Sequence, residues 1–104
     1  MAQFVDAVPA DEVPEDAAVV AEVDGKEIAI VRTGGEFYAL QNDCTHAGSP
    51  IGEGDIVGDN IIECPGHGSN FNVVTGEVVE GPADEPLETY EVEVVDGMVR
   101  VAFE

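Results

Sequence analysis

Cys44-Thr45-His46 and Cys64-Pro65-Gly66-His67, with seventeen residues between them, contain every cysteine and every histidine of this chain. The whole supply of soft metal ligands therefore lies in two short segments flanked by glycine and proline. Each offers one thiolate and one imidazole, and two such loops facing each other can hold a metal centre between them. Between Asn42 and Asp84 glycine and proline are dense and apolar runs are short, so the stretch reads as a small insertion carried on a more regular base.

That base has the pattern of strands and turns. Asp24-Gly25, Gly34-Gly35 and Asp96-Gly97 each lie between runs rich in Val, Ile, Phe or Tyr, which predicts three tight hairpins. In Tyr90-Glu91-Val92-Glu93-Val94 apolar residues alternate with carboxylates, and Val99, Val101 and Phe103 repeat at the same period beyond the turn. Ile28, Ile30, Phe37 and Leu40 mark an earlier pair. Residues 60–63 read as a strand entering the second ligand segment, 70–74 as a strand leaving it, and the region of Phe4 as an edge strand. Composition allows a helix over 16–23, although that segment is too short to stand alone and runs into Gly25.

The gross numbers narrow the function. At 104 residues the chain is one domain by size, 1–104, without room for a second catalytic unit. Only Lys26, Arg32 and Arg100 oppose 23 acidic side chains, a formal charge of -20, which disfavours nucleic acid and anionic membrane surfaces as partners. No basic leader and no run of about 18 apolar residues is present, so a cytoplasmic protein is expected. In a reducing compartment a disulfide between the two cysteines would be a poor use of them, and it would leave both histidines unexplained. The acids run from Asp6 to Glu104 rather than in one block. This favours adaptation to high salt, where the Debye length falls to about 3 Å, over a single acidic docking face for a basic partner.

Two thiolates and two imidazoles suffice for tetrahedral zinc, but zinc sites of the finger type commonly pair cysteine with cysteine and histidine with histidine. One of each per loop suits a binuclear cluster in which one iron takes the sulfurs and the other the nitrogens. Asp43 and Glu63 adjoin ligands and read as solvated acids, since four soft ligands already complete a set.

At this point the chain resembles the Rieske-type ferredoxins. The likeness runs through Cys44-Thr45-His46, the seventeen-residue interval, Cys64-Pro65-Gly66-His67-Gly68, Phe71, Thr75-Gly76-Glu77, and Gly81-Pro82-Ala83 ahead of Pro86-Leu87. It implies an all-β fold, an antiparallel β sandwich base with a small cluster-binding subdomain of two ligand loops over about 42–84. It also implies a Rieske-type 2Fe-2S cluster, with Cys44 and Cys64 on the inner iron and His46 and His67 on the outer one. The turn at Gly81-Pro82-Ala83 would cover the cluster from a third side. Rieske proteins of the respiratory and photosynthetic complexes join these loops by a disulfide, but the matching positions here are Ser49 and Gly66. Those proteins also offer a serine and a tyrosine to the cluster sulfurs; Ser69 keeps the hydroxyl and Phe71 lacks it.

Two neutral imidazoles in place of thiolates leave the cluster less negative, which raises its potential. A missing hydroxyl and dense carboxylates then place this chain near the lower end of the roughly -150 to +300 mV range, below about 0 mV. If the free ring nitrogens of His46 and His67 titrate, the potential falls as pH rises. The function expected is a one-electron carrier, not itself an enzyme, between a flavin-dependent reductase and a terminal oxygenase or reductase. The alternatives are a small Rieske-like subunit of an assimilatory nitrite reductase and a zinc-stabilised interaction module.

Overall fold

The computed structural model describes residues 3–23, 25–43, 50–58, 60–65, 68–81 and 85–103. These residues form eleven strands: β1 (Gln3–Pro9), β2 (Ala17–Val23), β3 (Lys26–Thr33), β4 (Glu36–Gln41), β5 (Asp55–Gly58), β6 (Ile61–Glu63), β7 (Asn70–Asn72), β8 (Val78–Glu80), β9 (Thr89–Tyr90), β10 (Val92–Val95) and β11 (Met98–Phe103). Two single 3₁₀ turns, Ala10–Glu12 and Ile51–Glu53, join them. The strands make three antiparallel sheets, in the orders β1-β11-β10, β2-β3-β4-β9 and β5-β6-β7-β8. The fold is all-β, as the sequence pattern predicts.

All three expected hairpins form: Val23 pairs with Lys26, Thr33 with Glu36, and Val95 with Met98. At the last of these Asp96 and Gly97 take φ of 52° and 76°, the left-handed pair that matches the natural twist of a two-residue hairpin. β1 is an edge strand, as expected around Phe4.

Strand β3 organises the molecule because both of its faces are buried. Ile28 and Ile30 point into one core with Val13, Ala21, Val23, Ala39, Val99 and Val101, between the first two sheets. Ala29 and Val31 point the other way, into a second core with Leu40, Ile51, Ile62, Cys64, Phe71, Val73 and Leu87. Each fully buried Ile or Phe among them contributes roughly 1.5–3 kcal/mol by leaving water. The third sheet thus packs on the middle one; β4 of the middle sheet leads into the first candidate ligand segment and β6 of the third into the second.

Two expectations are corrected, and two strands appear that the sequence did not announce. Residues 17–23 are strand β2, not helix: pairing along all seven positions with β3 satisfies their backbone, and Ala21 and Val23 alternate inward. The strand leaving the second ligand segment stops at Asn72, because the Asn72 side-chain oxygen accepts the N–H groups of Val74 (2.8 Å) and Thr75 (3.2 Å) and turns the chain. Strands β5 and β8 lacked any sequence signal, being short and each interrupted by a bulge.

Candidate metal centre

The first ligand segment leaves the end of β4 and returns at Pro50. Its stem is closed by a bridge between Asp43 and Pro50 and by Asn42. The Asn42 carbonyl accepts the Ile51 N–H at 2.6 Å, and its buried side-chain oxygen accepts the Gly52 N–H at 2.9 Å. One asparagine thus satisfies two N–H groups of the following 3₁₀ turn and fixes where the loop begins and ends.

The second segment is the connection between β6 and β7. Beyond the last ladder pair, Glu63 with Asn70, the Cys64 N–H donates to the Ser69 carbonyl at 2.7 Å, and the Gly68 N–H donates to the Cys64 carbonyl at 3.2 Å. Cys64 and Ser69 therefore stand opposite one another at the neck of the loop, both buried, whereas Pro65 and Gly68 are exposed. The Cys64 thiol, 2% exposed and in no disulfide, lies in the second core with Phe71, which packs beneath the loop.

The third segment returns from β8 to β9. The Leu87 N–H donates to the Gly76 carbonyl (2.8 Å), and the Gly76 N–H donates to the Asn72 carbonyl (2.7 Å). Gly76 has φ of 79°, and a Cβ there would run into the Leu87 carbonyl oxygen, so only glycine permits this close approach. Gln41 ties this segment to the first one. Its Nε2 donates to the Asp43 carbonyl at 2.8 Å and its Oε1 accepts the Glu88 N–H at 2.7 Å.

Of the six residues singled out from sequence, the described structure contains Cys64 and Ser69; Cys44, His46, His67 and Pro82 lie outside the described residues. What is visible is that the necks of all three segments converge on one core: Leu40 leads into the first, Ile51 leaves it, Cys64 opens the second and Leu87 closes the third. Sequence reasoning missed Gln41 and Asn42, and it quoted Gly76 in a motif without giving it a role. The only signal for the first two was a pair of amides directly before an acid and a cysteine.

The electrostatics are strongly negative. Arg100 is held by Asp6 (3.0 Å) and Glu93 (3.1 Å), and Arg32 lies 4.0 Å from Glu15. Lys26 lies at the end of β3 that adjoins the first and third segments. Its pKa is raised, chiefly by a hydrogen bond to Tyr90; slight burial opposes this, and the charges of Tyr90, Glu88 and Asp43 assist it. Its Nζ also lies 5.3 Å from the Tyr90 ring centre.

Residues 3–91 match the sequence profile of the Rieske 2Fe-2S domain. The chain belongs to the Rieske 2Fe-2S family. Ferredoxin CarAc of Metapseudomonas resinovorans is 45% identical to it over 85 residues, 82% of this chain and 78% of the relative. The ferredoxin of carbazole 1,9a-dioxygenase from Nocardioides aromaticivorans IC177 superposes with a TM-score of 0.90 at 31% identity, covering 98% of this chain and 99% of that one. A chain in the complex of reduced oxygenase and oxidized ferredoxin in carbazole 1,9a-dioxygenase gives a TM-score of 0.85 at 36% identity, over 95% of this chain and 92% of that one.

The cofactor of this Rieske domain is accordingly a 2Fe-2S cluster, and the described residues fit it. A cluster gripped by sulfur at one end and nitrogen at the other needs a thiolate at the closed end of its loop and an open tip. Cys64 at the buried neck, with Pro65 and Gly68 exposed around the tip, has that polarity. Among the described residues no helix is long and apolar enough to cross a membrane.

Proposed function

We propose that this Rieske domain is a one-electron carrier that receives electrons from a flavin-dependent reductase and delivers them to a terminal oxygenase or a similar acceptor. It is a component of an oxidoreductase system and not itself the catalyst. The observation that carries this reading is the convergence of three pinned loop necks on one core, with a buried free thiol at one of them, in a chain that aligns end to end with dioxygenase ferredoxins.

In this reading residues 1–104 form one Rieske domain, with the cluster-binding part over about 42–84 set into the β base. Cys44 and Cys64 would hold the inner iron, and His46 and His67 the outer one. The cluster, when bound, supplies a site that stores and releases a single electron. The chain's own residues do the rest. The Asn42 and Cys64–Ser69 necks fix the two ligand loops, Phe71 and Leu87 keep water from the closed end, and Ser69, opposite Cys64, would offer its hydroxyl to the cluster. Pro82 would cover the cluster from the third loop.

Asp43, Glu63 and Glu88 adjoin the loop necks, and their charge opposes the added electron; the expected midpoint potential is below about 0 mV within the family's range of roughly -150 to +300 mV. A cytoplasmic location accords with thiols that must stay reduced until metallated.

Anaerobically purified protein should be red-brown, contain iron and acid-labile sulfide in equal amounts, and show a rhombic electron paramagnetic resonance signal after dithionite reduction. Colourless protein holding zinc, without sulfide, would refute the assignment.

A further inference from the structure

The end of β4 departs from an ordinary ladder in one detail. Pairing between β4 and β9 runs through Ala39 with Tyr90 and Leu40 with Thr89, and the Gln41 N–H then donates to the Glu88 carbonyl at 2.9 Å. The return bond from the Glu88 N–H goes to the Gln41 side-chain oxygen at 2.7 Å instead of a main-chain carbonyl. A side chain has taken the place of backbone, so the main chain can leave the sheet toward the first ligand loop with no N–H stranded. The other end of the same amide donates to the Asp43 carbonyl, the last described residue before that loop. One planar group thus joins two segments 47 positions apart in sequence.

We propose that Gln41 is a positioning residue: its amide clasps the stem of the first ligand loop at Asp43 to the end of the third segment at Glu88, and firm holding of the cluster depends on that spacing. The inference rests on the electron-carrier reading above. Neither bond of the clasp can be rearranged independently, since the donor and acceptor share one rigid plane. Loss of either arm frees one loop while the ladder behind it stays intact.

The test uses the holoprotein and three substitutions. Gln41→Leu removes both arms. Gln41→Glu keeps the acceptor for Glu88 but sets an acceptor against the Asp43 carbonyl. Val101→Ala thins the base core and reports what general destabilisation does. Measured are the rate at which a ferrous chelator bleaches the cluster, the midpoint potential and the resonance spectrum of the reduced protein. Both Gln41 variants should bleach on the order of tenfold faster than wild type. Gln41→Leu should also displace the potential and the spectrum, while Val101→Ala leaves all three near wild type. Wild-type bleaching and potential in Gln41→Leu overturn the proposal, as does Val101→Ala bleaching equally fast. Wild-type protein without iron and sulfide would overturn the carrier reading itself; a loaded wild type with Gln41→Leu matching Val101→Ala overturns the clasp alone.

Discussion

The two faces of β3 look onto two differently built halves. The sheet of β3 and the sheet on its first face are long ladders: β2 pairs with β3 at seven positions, and β1 follows β11 for nearly its whole length. On the other, β6, β7 and β8 have three residues each, and the segments that join their sheet to the middle one are secured by individual groups such as Asn42 and Gln41. In the first half shape is distributed over many equivalent bonds. In the second it depends on a few, which leaves main chain available to surround a cofactor.

The strongest way to break this contrast is Cys64→Ser. The cluster should be lost completely, read as absent iron, sulfide and visible absorption, while amide hydrogen exchange in β1 and β11 stays slow. Collapse of protection in both halves together would show one indivisible unit.

Next comes a matched pair of core truncations. Phe71→Ala should cost about 3–5 kcal/mol and Val101→Ala about 2 kcal/mol in denaturant titrations. Only the first should also release the cluster at concentrations where the fold persists. A sharper pair follows. Gly76 and Gly97 share a left-handed φ, but a Cβ meets the Leu87 carbonyl only at Gly76 and open space at Gly97. Gly97→Ala should cost about 1 kcal/mol and Gly76→Ala about 1–3 kcal/mol. Equal costs would mean that the third loop simply moves aside.

The smallest effect lies at Lys26, where the halves meet. Its folded pKa is raised above the ordinary 10.5 by Tyr90 and the nearby acids. Its stabilising contribution is therefore complete below that value and fades as pH rises through the raised one. Comparing wild type with Lys26→Met, the difference in melting temperature should be constant near neutrality and shrink above about pH 10.5. An unchanged difference in strong alkali would remove the lysine's charge from the account.

How much could be read in advance follows the same division. The three hairpins declared themselves through Asp-Gly and Gly-Gly, because regular ladders leave regular patterns. The alternation over 90–94 was only partly a guide: the strand breaks at Glu91, Tyr90 pairs with Ala39 in the middle sheet while Val92–Val95 pairs with β11, and Val94 is exposed. The segment 16–23 misled because its alanines and acids suit a helix, while its partner lies in the next strand. β5 and β8 are too short to show a period. The two Cys/His pairs proposed as ligands stood out by residue type alone, yet the roles of Gln41 and Asn42 could not, since each depends on a group brought near only by the finished fold.

One last consequence comes from the unequal sides of β3. Ile28 and Ile30 fill one core and the smaller Ala29 and Val31 the other, so sliding this strand by a single residue would force large groups into small seats and leave holes opposite. Misalignment is penalised twice over. Because β2, β3 and β4 are consecutive hairpins, their register can be set early in folding from nearby partners, and the two cores lock it as the other sheets arrive. The later-arriving half would then be cast against a template already in its correct frame.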